Sequence, residues 1–247
     1  MSNSEKVWLV TGGSRGIGQA IVERALADGN RVAVLSRNPK KDKTEATNKE
    51  NNDRQLNLAA DVCDEAQLQV AVEQIISEWG RLDVVVNNAG LHRGGKTSSL
   101  DLEDWEAVVQ TNLSGALKVI RSAEPHLEQG ASIVNIGAVV GFRGFPGDAA
   151  YASSKAGLAG LTRALSIEYA KRGIRVNLVI PGLVFTDMTS GLSEKAMDSM
   201  RDMIPLGRLG EAAEIAAVVH SVAAATYMTG AFIPVDGGLM STFGMPG

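Results

Sequence analysis

Short apolar segments recur along the chain, and longer polar or amphipathic stretches separate them. The bodies of these segments are almost continuously apolar, which is typical of strands that are covered on both faces of a sheet. We therefore predict seven buried strands. Their bounds are Val7–Val10, Arg31–Leu35, Gln55–Ala59, Asp83–Val86, Ser132–Ile136, Arg175–Ile180 and Ala231–Val235.

Two of the intervening stretches show the spacing of an amphipathic helix. Gly29 and Gly80 follow them at the positions where a left-handed residue ends a helix. Strands and helices in alternation predict a parallel sheet with right-handed crossovers and helices on both faces. The apolar stripes are Ile17, Ile21, Val22, Ala25 and Leu26 in the first helix, and Leu68, Val72, Ile75 and Ile76 in the second.

The composition stays uniform along the chain, and no Pro/Ser-rich linker divides it. We therefore predict a single domain over residues 1–247. Two segments interrupt the alternation of strands and helices. Asn38–Asp53 is polar and charged, which indicates a solvated loop, whereas Thr186–Arg208 is rich in Met and Ser, which we interpret as a mobile lid.

The chain has 247 residues and a net charge of −4, which argues against a general electrostatic attraction to nucleic acid or anionic lipid. No apolar run approaches the roughly 18 residues that a membrane span needs, and the N-terminus does not read as a secretory signal. The lone Cys63 cannot form an internal disulfide. Because His92, His126 and His220 lack metal-ligand spacing, we assign them to core or surface positions. We predict a soluble, cytoplasmic protein with no metal site and no nucleic-acid or membrane partner.

The first predicted strand runs directly into a glycine-rich turn that opens the first predicted helix. Glycines at positions 12, 16 and 18 suit a tight turn, a close approach of the backbone to a pyrophosphate, and close packing of helix on strand. The helix N-terminus adds free N–H groups and the positive end of the helix dipole. We therefore predict a dinucleotide phosphate site at Gly12, Ser14, Arg15, Gly16, Ile17 and Gly18.

The end of the second predicted strand indicates which nicotinamide dinucleotide binds. NAD-specific sites usually have a carboxylate there for the ribose 2′-hydroxyl, whereas this strand ends in Ser36-Arg37. Arg37 and Arg15 can both pair with a 2′-phosphate dianion. We therefore predict NADPH (NADP when oxidised) as the cofactor.

Several further motifs, in order along the chain, carry a family resemblance. With the glycine spacing Gly-x-x-x-Gly-x-Gly, they resemble the short-chain dehydrogenase/reductase family over nearly the whole chain. Residues 136–141 and 235–238 resemble its bacterial 3-oxoacyl-[acyl-carrier-protein] reductases. The resemblance implies an α/β fold with a Rossmann-type, doubly wound, seven-stranded parallel sheet flanked by helices on both faces. The motifs are Asn87-Asn88-Ala89-Gly90, Asn112, Tyr151-Ala152-Ser153-Ser154-Lys155 and Pro181-Gly182.

The resemblance also implies cofactor contacts outside the glycine-rich turn. They are Asp61 and Val62 for the adenine, Asn88, Ala89 and Gly90 for the adjoining ribose, Pro181 and Gly182 in the turn after the sixth strand, and Val184 and Thr186 for the nicotinamide carboxamide.

Tyr151 and Lys155 are four residues apart, so they lie on one face of a helix. A tyrosine hydroxyl has a pKa of about 10, which a nearby ammonium lowers. We expect Lys155 to lower the pKa of Tyr151, which gives its proton to the developing alkoxide of a reduced carbonyl. The resemblance implies that Lys155 also binds the nicotinamide ribose and that Asn112 supports a proton-carrying water. These three residues are the predicted catalytic set.

The family has a serine 13 positions before the tyrosine, and its hydroxyl donates a hydrogen bond to the substrate oxygen. This chain has Ala138 at that position, and alanine has no donor. Loss of one such donor typically lowers turnover by about 10²–10³. The remainder of the site is intact, which favours an engineered or otherwise isolated change at position 138 over a natural non-enzyme. We expect low activity.

The resemblance implies reduction of a 3-oxoacyl thioester to the 3-hydroxyacyl thioester, on acyl carrier protein as in fatty-acid biosynthesis. Arg172 matches one carrier-docking arginine of the family, but the other docking position is Gln129. A CoA thioester or another small ketone therefore stays open as the substrate. An NADPH-binding protein with little catalysis is a further alternative, whereas the glycine spacing and the short length count against a sugar epimerase.

Family members are usually homotetramers, and we predict the same assembly here. Two helical regions, around residues 101–129 and 151–172, would supply the subunit contacts together with the C-terminal strand. Their apolar stripes are Val108, Leu113, Leu117 and Ile120 in the first region, and Leu158, Leu161 and Leu165 in the second.

Overall fold

The computed structural model describes residues 5–39, 53–185 and 194–242, and seven parallel strands form its central sheet. Their order across the sheet is β3-β2-β1-β4-β5-β6-β9, so the predicted doubly wound parallel sheet is confirmed. Two short strands, β7 (Val184–Phe185) and β8 (Gly210–Glu211), pair separately. The strands of the main sheet are β1 (Val7–Thr11), β2 (Arg31–Ser36), β3 (Gln55–Ala59), β4 (Leu82–Asn87), β5 (Leu127–Ile136), β6 (Arg175–Pro181) and β9 (Phe232–Val235).

Eight α-helices lie in the described part of the chain, and none of them is long and apolar enough to cross a membrane. A π-helical turn, Gln110–Ser114, joins the third helix to the fourth. The left-handed glycines after the first two helices are confirmed, with φ of 81° at Gly29 and 73° at Gly80. The helices are α1 (Gly16–Ala27), α2 (Glu65–Trp79), α3 (Leu102–Val109), α4 (Gly115–Ala123), α5 (Val140–Arg143), α6 (Ala149–Glu168), α7 (Glu194–Asp202) and α8 (Ala212–Ala224).

Alternate residues of β1 enter two different apolar layers. Val7 and Leu9 pack in the layer that contains α2 and α4, whereas Trp8 and Val10 pack against α1 and α8. Successive side chains of a strand point to opposite faces of its sheet, so a strand covered on both faces needs apolar residues throughout. This double coverage explains why the strands appear in the sequence as continuous apolar runs.

Strand β5 begins at Leu127, whereas the sequence pattern placed its start at Ser132. Residues 128–130 are exposed, so no apolar pattern marks them. Leu127 is buried and pairs with Leu82, and the register between β4 and β5 shifts before Val84. A local irregularity of this kind lets a strand continue past residues that do not fit the ladder.

Most of the apolar residues that we assigned to subunit contacts lie in the core of the single chain. Val108, Ile120, Leu158 and Leu165 are all buried there. That assignment was wrong for these four residues, because their burial stabilises the fold of one chain and leaves no surface for a second. Leu117 is 39% exposed and stays available.

Both irregular segments fall partly outside the described residues, which lack 40–52 and 186–193. The described part of the predicted lid contains α7, a helix that the sequence pattern did not indicate.

The carboxyl ends of the seven parallel strands lie along one edge of the sheet. Strand β1 has β2 on one side and β4 on the other, so the winding of the chain reverses between β1 and β4. The loops that follow two such strands diverge and leave a crevice, which is where open α/β sheets bind ligands. The glycine-rich turn follows β1 and residues 88–90 follow β4, so both flank this crevice.

Candidate active site

The glycine-rich turn after β1 is shaped by close backbone contacts. Gly12 and Gly16 have φ of 66° and 54°, which favours glycine. A Cβ on Gly18 would lie 2.3 Å from the carbonyl oxygen of Gly12, so no side chain fits there. Helix α1 begins at Gly16, and its N-cap residue Arg15 makes no side-chain capping hydrogen bond. This turn, which also includes Ser14 and Ile17, therefore suits a pyrophosphate bound to backbone N–H groups.

Thr11 joins the glycine-rich turn to the loop after β4. Its hydroxyl accepts hydrogen bonds from the N–H groups of Asn88 and Ala89, both at 3.0 Å. The Asn88 amide donates to the carbonyl oxygens of Thr11 at 3.0 Å and Gly12 at 3.2 Å. The Asn88 side chain thus braces the turn. Thr11 was not among the predicted site residues, and the available signal was its position between the first strand and the first glycine.

The carboxyl end of β2 and the glycine-rich turn beside it carry polar groups that other described residues leave unpaired. The hydroxyl oxygen of Ser36 is buried without a hydrogen-bond partner. Arg37 and Arg15 are exposed, and neither forms an ion pair within the described residues. An orphaned donor and two free guanidinium groups fit a bound phosphate dianion. The residues present therefore suit the phosphorylated dinucleotide that was predicted.

Asp61 and Val62 form a fixed turn after β3. Asp61 Oδ1 accepts a hydrogen bond from the N–H of Cys63 at 2.9 Å. Val62 is buried, and a Cβ on Gly115 would lie 2.9 Å from its side chain. This close contact with the start of α4 holds the turn at the sheet edge where the adenine contact was predicted.

The turn after β6 is also closely packed. Pro181 ends the strand, and a Cβ on Gly182 would lie 2.6 Å from Cα of Asp236, which explains the glycine. Val184 is buried in β7. Thr186 lies outside the described residues.

Asn112 lies in the π-helical turn between α3 and α4 and is 2% exposed. Its Oδ1 accepts a hydrogen bond from the N–H of Leu91 at 2.7 Å, and its Nδ2 donates to the carbonyl oxygen of Leu91 at 2.9 Å. Nδ2 also donates to the hydroxyl of Ser154 at 3.0 Å, which in turn donates to the carbonyl oxygen of Tyr151. Asn112 therefore connects the loop after β4 to the helix that carries Tyr151 and Lys155. Gly90 lies beside both side chains, since a Cβ there would be 3.6 Å from Asn112 Oδ1 and 3.8 Å from Lys155 Nζ.

Tyr151 and Lys155 share one face of α6, as predicted, and the Lys155 ammonium lies 5.6 Å from the centre of the Tyr151 ring. Lys155 is 4% exposed, and its Nζ donates to the carbonyl oxygen of Ile136 at 2.9 Å. Burial lowers the pKa of Lys155 to about 8. Burial, with a smaller contribution from the Asp148 carboxylate, raises the pKa of Tyr151 to about 12.

The raised pKa of Tyr151 differs from our expectation that Lys155 would lower it. The physical reason is that burial penalises the phenolate, while the ammonium binds the Ile136 carbonyl rather than the phenol. An ammonium whose own pKa is lowered by burial also carries less charge above neutral pH.

Ala138 lies in the turn between β5 and α5. Its carbonyl oxygen accepts a hydrogen bond from the N–H of Gly141 in α5 at 3.1 Å. A Cβ on Gly141 would lie 2.8 Å from the N atom of Ala156 and 3.2 Å from Cβ of Lys155. Helix α5, which follows Ala138, therefore packs against the helix that carries Lys155 and Tyr151. The methyl group of Ala138 adds no hydrogen-bond donor to this region.

The geometry agrees with comparisons to known proteins. A family model described as Enoyl-(Acyl carrier protein) reductase matches residues 12–240. The chain belongs to the short-chain dehydrogenase/reductase family. The family resemblance predicted from the motifs is thereby confirmed, as is the Rossmann-type fold.

Curated relatives of this family member have oxidoreductase names. Carbonyl reductase family member 4 of Danio rerio is 43% identical over 232 residues, which covers 94% of this chain and 96% of the relative. The human 3-oxoacyl-[acyl-carrier-protein] reductase is 40% identical over 237 residues, covering 95% and 98%. These relatives support a carbonyl-reducing oxidoreductase.

Solved structures agree in fold. A double mutant of a Serratia marcescens short-chain dehydrogenase/reductase has a TM-score of 0.88 at 38% identity, covering 95% of this chain and 98% of the other. A blue fluorescent protein from a metagenomic library, in complex with NADPH, has a TM-score of 0.86 at 37% identity, covering 95% and 97%.

One acidic and one basic side chain beside Tyr151 were not predicted. The ring of His92 contacts the Tyr151 ring edge-on, with 5.0 Å between centroids, and His92 Nε2 lies 2.8 Å from Asp148 Oδ1. The assignment of His92 to a core or surface position gave no indication of this contact. The available signal was its place two residues after Gly90, at the carboxyl end of β4.

The structure does not bring Arg172 to this site. It lies just before the amino end of β6, at the opposite edge of the sheet from Tyr151. Its guanidinium binds the Glu124 carboxylate and the carbonyl oxygens of Glu124 and Leu127. Within one chain Arg172 therefore does not reach Tyr151, because the sheet separates the two regions, and its match to a carrier-docking arginine stays a prediction. Among the described residues, no group of His, Cys, Asp or Glu could hold a metal ion.

Proposed function

We propose that this family member reduces a 3-oxoacyl thioester to the 3-hydroxyacyl thioester with NADPH, at a rate limited by Ala138. One observation carries the proposal: Lys155, on the helix face of Tyr151, and the hydrogen-bonded Asn112 lie beside the loop after β4. That loop is hydrogen-bonded to the glycine turn that suits a pyrophosphate. NADPH, when bound, supplies the hydride.

The chain's own groups supply the proton. Tyr151 gives its hydroxyl proton to the alkoxide that develops from the substrate carbonyl. Lys155 then compensates the phenolate and, in this proposal, also holds the nicotinamide ribose. Asn112 fixes Leu91 and Ser154 and so maintains the distance between the cofactor loop and α6. The unpaired Ser36, Arg15 and Arg37 support NADPH over NADH.

The first experiment measures oxidation of NADPH and of NADH by the purified chain with acetoacetyl-CoA, acetoacetyl-acyl carrier protein and a small ketone. We expect NADPH-dependent turnover of at least one thioester, and loss of turnover by at least about 10²-fold in Tyr151→Phe, since a positioned general acid contributes about 10²–10⁴-fold. Equal turnover in Tyr151→Phe would reject the assigned role. Turnover of the ketone alone would reject the thioester.

Arg172 matches one carrier-docking position of the family and Gln129 departs from the other, so both acyl carrier protein and CoA thioesters are tested. We further propose that the protein binds acyl carrier protein, forms a homotetramer and acts in the cytoplasm. Exposed apolar side chains on α3, α4 and α6, namely Leu102, Leu117 and Ile167, support an assembly of several subunits.

A second candidate is an NADPH-binding protein with little catalysis. Ala138 lacks a donor, and the pKa of Tyr151 is raised to about 12, and both features favour this alternative. Cofactor binding without turnover of any substrate, even after Ala138→Ser, is the result that would support it.

A further inference from the structure

Tyr151 has a carboxylate and an imidazole beside it that the reaction described above does not use. Asp148 is the N-cap residue of α6, three residues before Tyr151 and so next to it on the helix surface. Its side chain makes no capping hydrogen bond, although aspartate at this position usually caps its helix. The carboxylate instead binds His92 Nε2 at 2.8 Å.

The proton on this contact can be assigned from chemistry. An ionised carboxylate only accepts hydrogen bonds, so His92 Nε2 carries the proton and donates it. The donor is present in the neutral and in the protonated imidazole, provided that the neutral ring takes this tautomer. The side chains of His92 and Asp148 are 37% and 16% exposed, so solvent only partly screens the pair.

The backbone around His92 is held on both sides. Asn112 binds both the N–H and the carbonyl oxygen of Leu91, the residue before His92. Beyond it, the N–H of Gly95 donates to the carbonyl oxygen of Gly147 at 2.8 Å. The loop after β4 and the loop before α6 are thus tied together, which fixes the imidazole against the edge of the Tyr151 ring.

We propose that His92 and Asp148 form a positioning pair for Tyr151, in which His92 holds the phenol ring and compensates the Asp148 carboxylate. This rests on the proposed function, in which Tyr151 becomes a phenolate when its proton leaves. The Asp148 carboxylate repels a phenolate at Tyr151 and so raises the free energy of the ionised tyrosine. A hydrogen-bond donor on the carboxylate reduces this repulsion. Among the described residues, the titratable side chains around Tyr151 are those of Asp148, His92 and Lys155. Asp148 raises the pKa of Tyr151, which is the direction expected when a carboxylate repels the phenolate.

The test measures the ionisation of Tyr151 directly, so it does not depend on turnover. The chain has three tyrosines, and their Cζ carbons can be labelled with ¹³C and assigned with Tyr151→Phe. The shift of Tyr151 Cζ is followed up to the highest pH at which circular dichroism shows an intact fold. Four proteins are compared: wild type, His92→Phe, Asp148→Asn and the double variant.

We expect Asp148→Asn to move the ionisation of Tyr151 to lower pH and His92→Phe to move it to higher pH. In the double variant, Tyr151 should ionise as in Asp148→Asn, because His92 then has no carboxylate to compensate. An unchanged ionisation in Asp148→Asn, or an equal effect of His92→Phe with and without Asp148, would overturn the proposal. Asp104→Asn is the matched control, since it removes the carboxylate charge from the 2.6 Å contact of Asp104 with Arg93, the residue next to His92.

Kinetics provide a second readout where a substrate is found. We expect His92→Phe to lower kcat about tenfold, the change that corresponds to a rise of about one unit in the pKa of Tyr151. KM should change less than about twofold. His92→Asn, which keeps an N–H donor, should recover part of this loss. Failure of the proposed function shows as full turnover in Tyr151→Phe, an outcome separate from the ¹³C result.

Discussion

At position 138 the chain has a methyl group in the turn before α5, the helix that packs against the helix of Tyr151 and Lys155. The polar groups around this turn are otherwise engaged: Lys155 binds the Ile136 carbonyl, and Asn112 binds Leu91 and Ser154. A carbonyl substrate would therefore meet the Tyr151 hydroxyl without a second donor from position 138.

We predict that Ala138→Ser raises reductase turnover at least tenfold with little change in NADPH affinity. A single donor to a developing oxyanion is worth about 10²–10³ in kcat, and the family resemblance assigns position 138 to the contact with the substrate oxygen. Steady-state kinetics and a fluorescence titration with NADPH measure the two quantities. Ala138→Cys introduces a side chain similar in size to serine but with only a weak hydrogen-bond donor, so its turnover should remain close to that of the wild type. Equal turnover in the serine variant would reject the role of position 138.

At the scale of elements, His220 joins α1 and α8 over β1. Its ring stacks on Trp8 with 4.4 Å between centroids, and Nδ1 lies 3.2 Å from Asp28 Oδ2. Burial lowers the pKa of His220 below its ordinary value of 6.5, although the Ile21 carbonyl and Asp28 oppose this shift. The packing of His220 between these helices therefore favours the neutral imidazole.

We predict that acidification below pH 6.5 weakens this contact. The unfolded chain takes up a proton on His220 near pH 6.5, whereas the folded chain does so only at lower pH. The free energy of unfolding therefore falls as the pH falls below that value. His220→Phe keeps a stacking ring but cannot titrate, so urea unfolding at pH 5.5 and 7.5 should show a smaller difference than in wild type. His126→Phe serves as the control, and an unchanged difference in His220→Phe would contradict the prediction.

At the scale of the whole molecule, the candidate cofactor site collects loops that follow several parallel strands. Strand order places the glycine-rich turn after β1 next to the loop after β4, with Arg37 after β2. A ligand that contacts all of these loops binds the folded state and not the unfolded chain. Its binding should therefore stabilise the entire fold.

We predict that NADPH at 100 times its Kd raises Tm by about 5–10 °C, since it adds about 2.7 kcal/mol to the stability of a domain of this size. NADH at the same concentration should raise Tm less. In Arg37→Ala the advantage of NADPH should shrink, because a charge-assisted contact to the 2′-phosphate is lost. Arg121→Ala, exposed on α4, is the control. The same Tm shift for both dinucleotides in wild type would contradict the cofactor assignment.

The sequence by itself determined the seven strands, the parallel sheet, the glycine-rich turn and the shared face of Tyr151 and Lys155. These features depend on the local spacing of apolar residues and on short motifs. The strands were visible because each is covered on both faces and is therefore continuously apolar. The sequence did not predict residues 128–130 of β5 or the π-helical turn at Asn112. Exposed polar residues show no hydrophobic periodicity, and a π-helical turn has no sequence pattern that distinguishes it from an α-helix.

Only the tertiary structure decided which distant residues meet. It placed His92 and Asp148, 56 positions apart, on either side of a hydrogen bond beside Tyr151, and it separated Arg172 from the same tyrosine. It also set the pKa values of Tyr151 and Lys155, because burial depends on the packing of all the surrounding elements. Spacing along the chain contains neither long-range contacts nor desolvation, so these properties arise only when the chain folds.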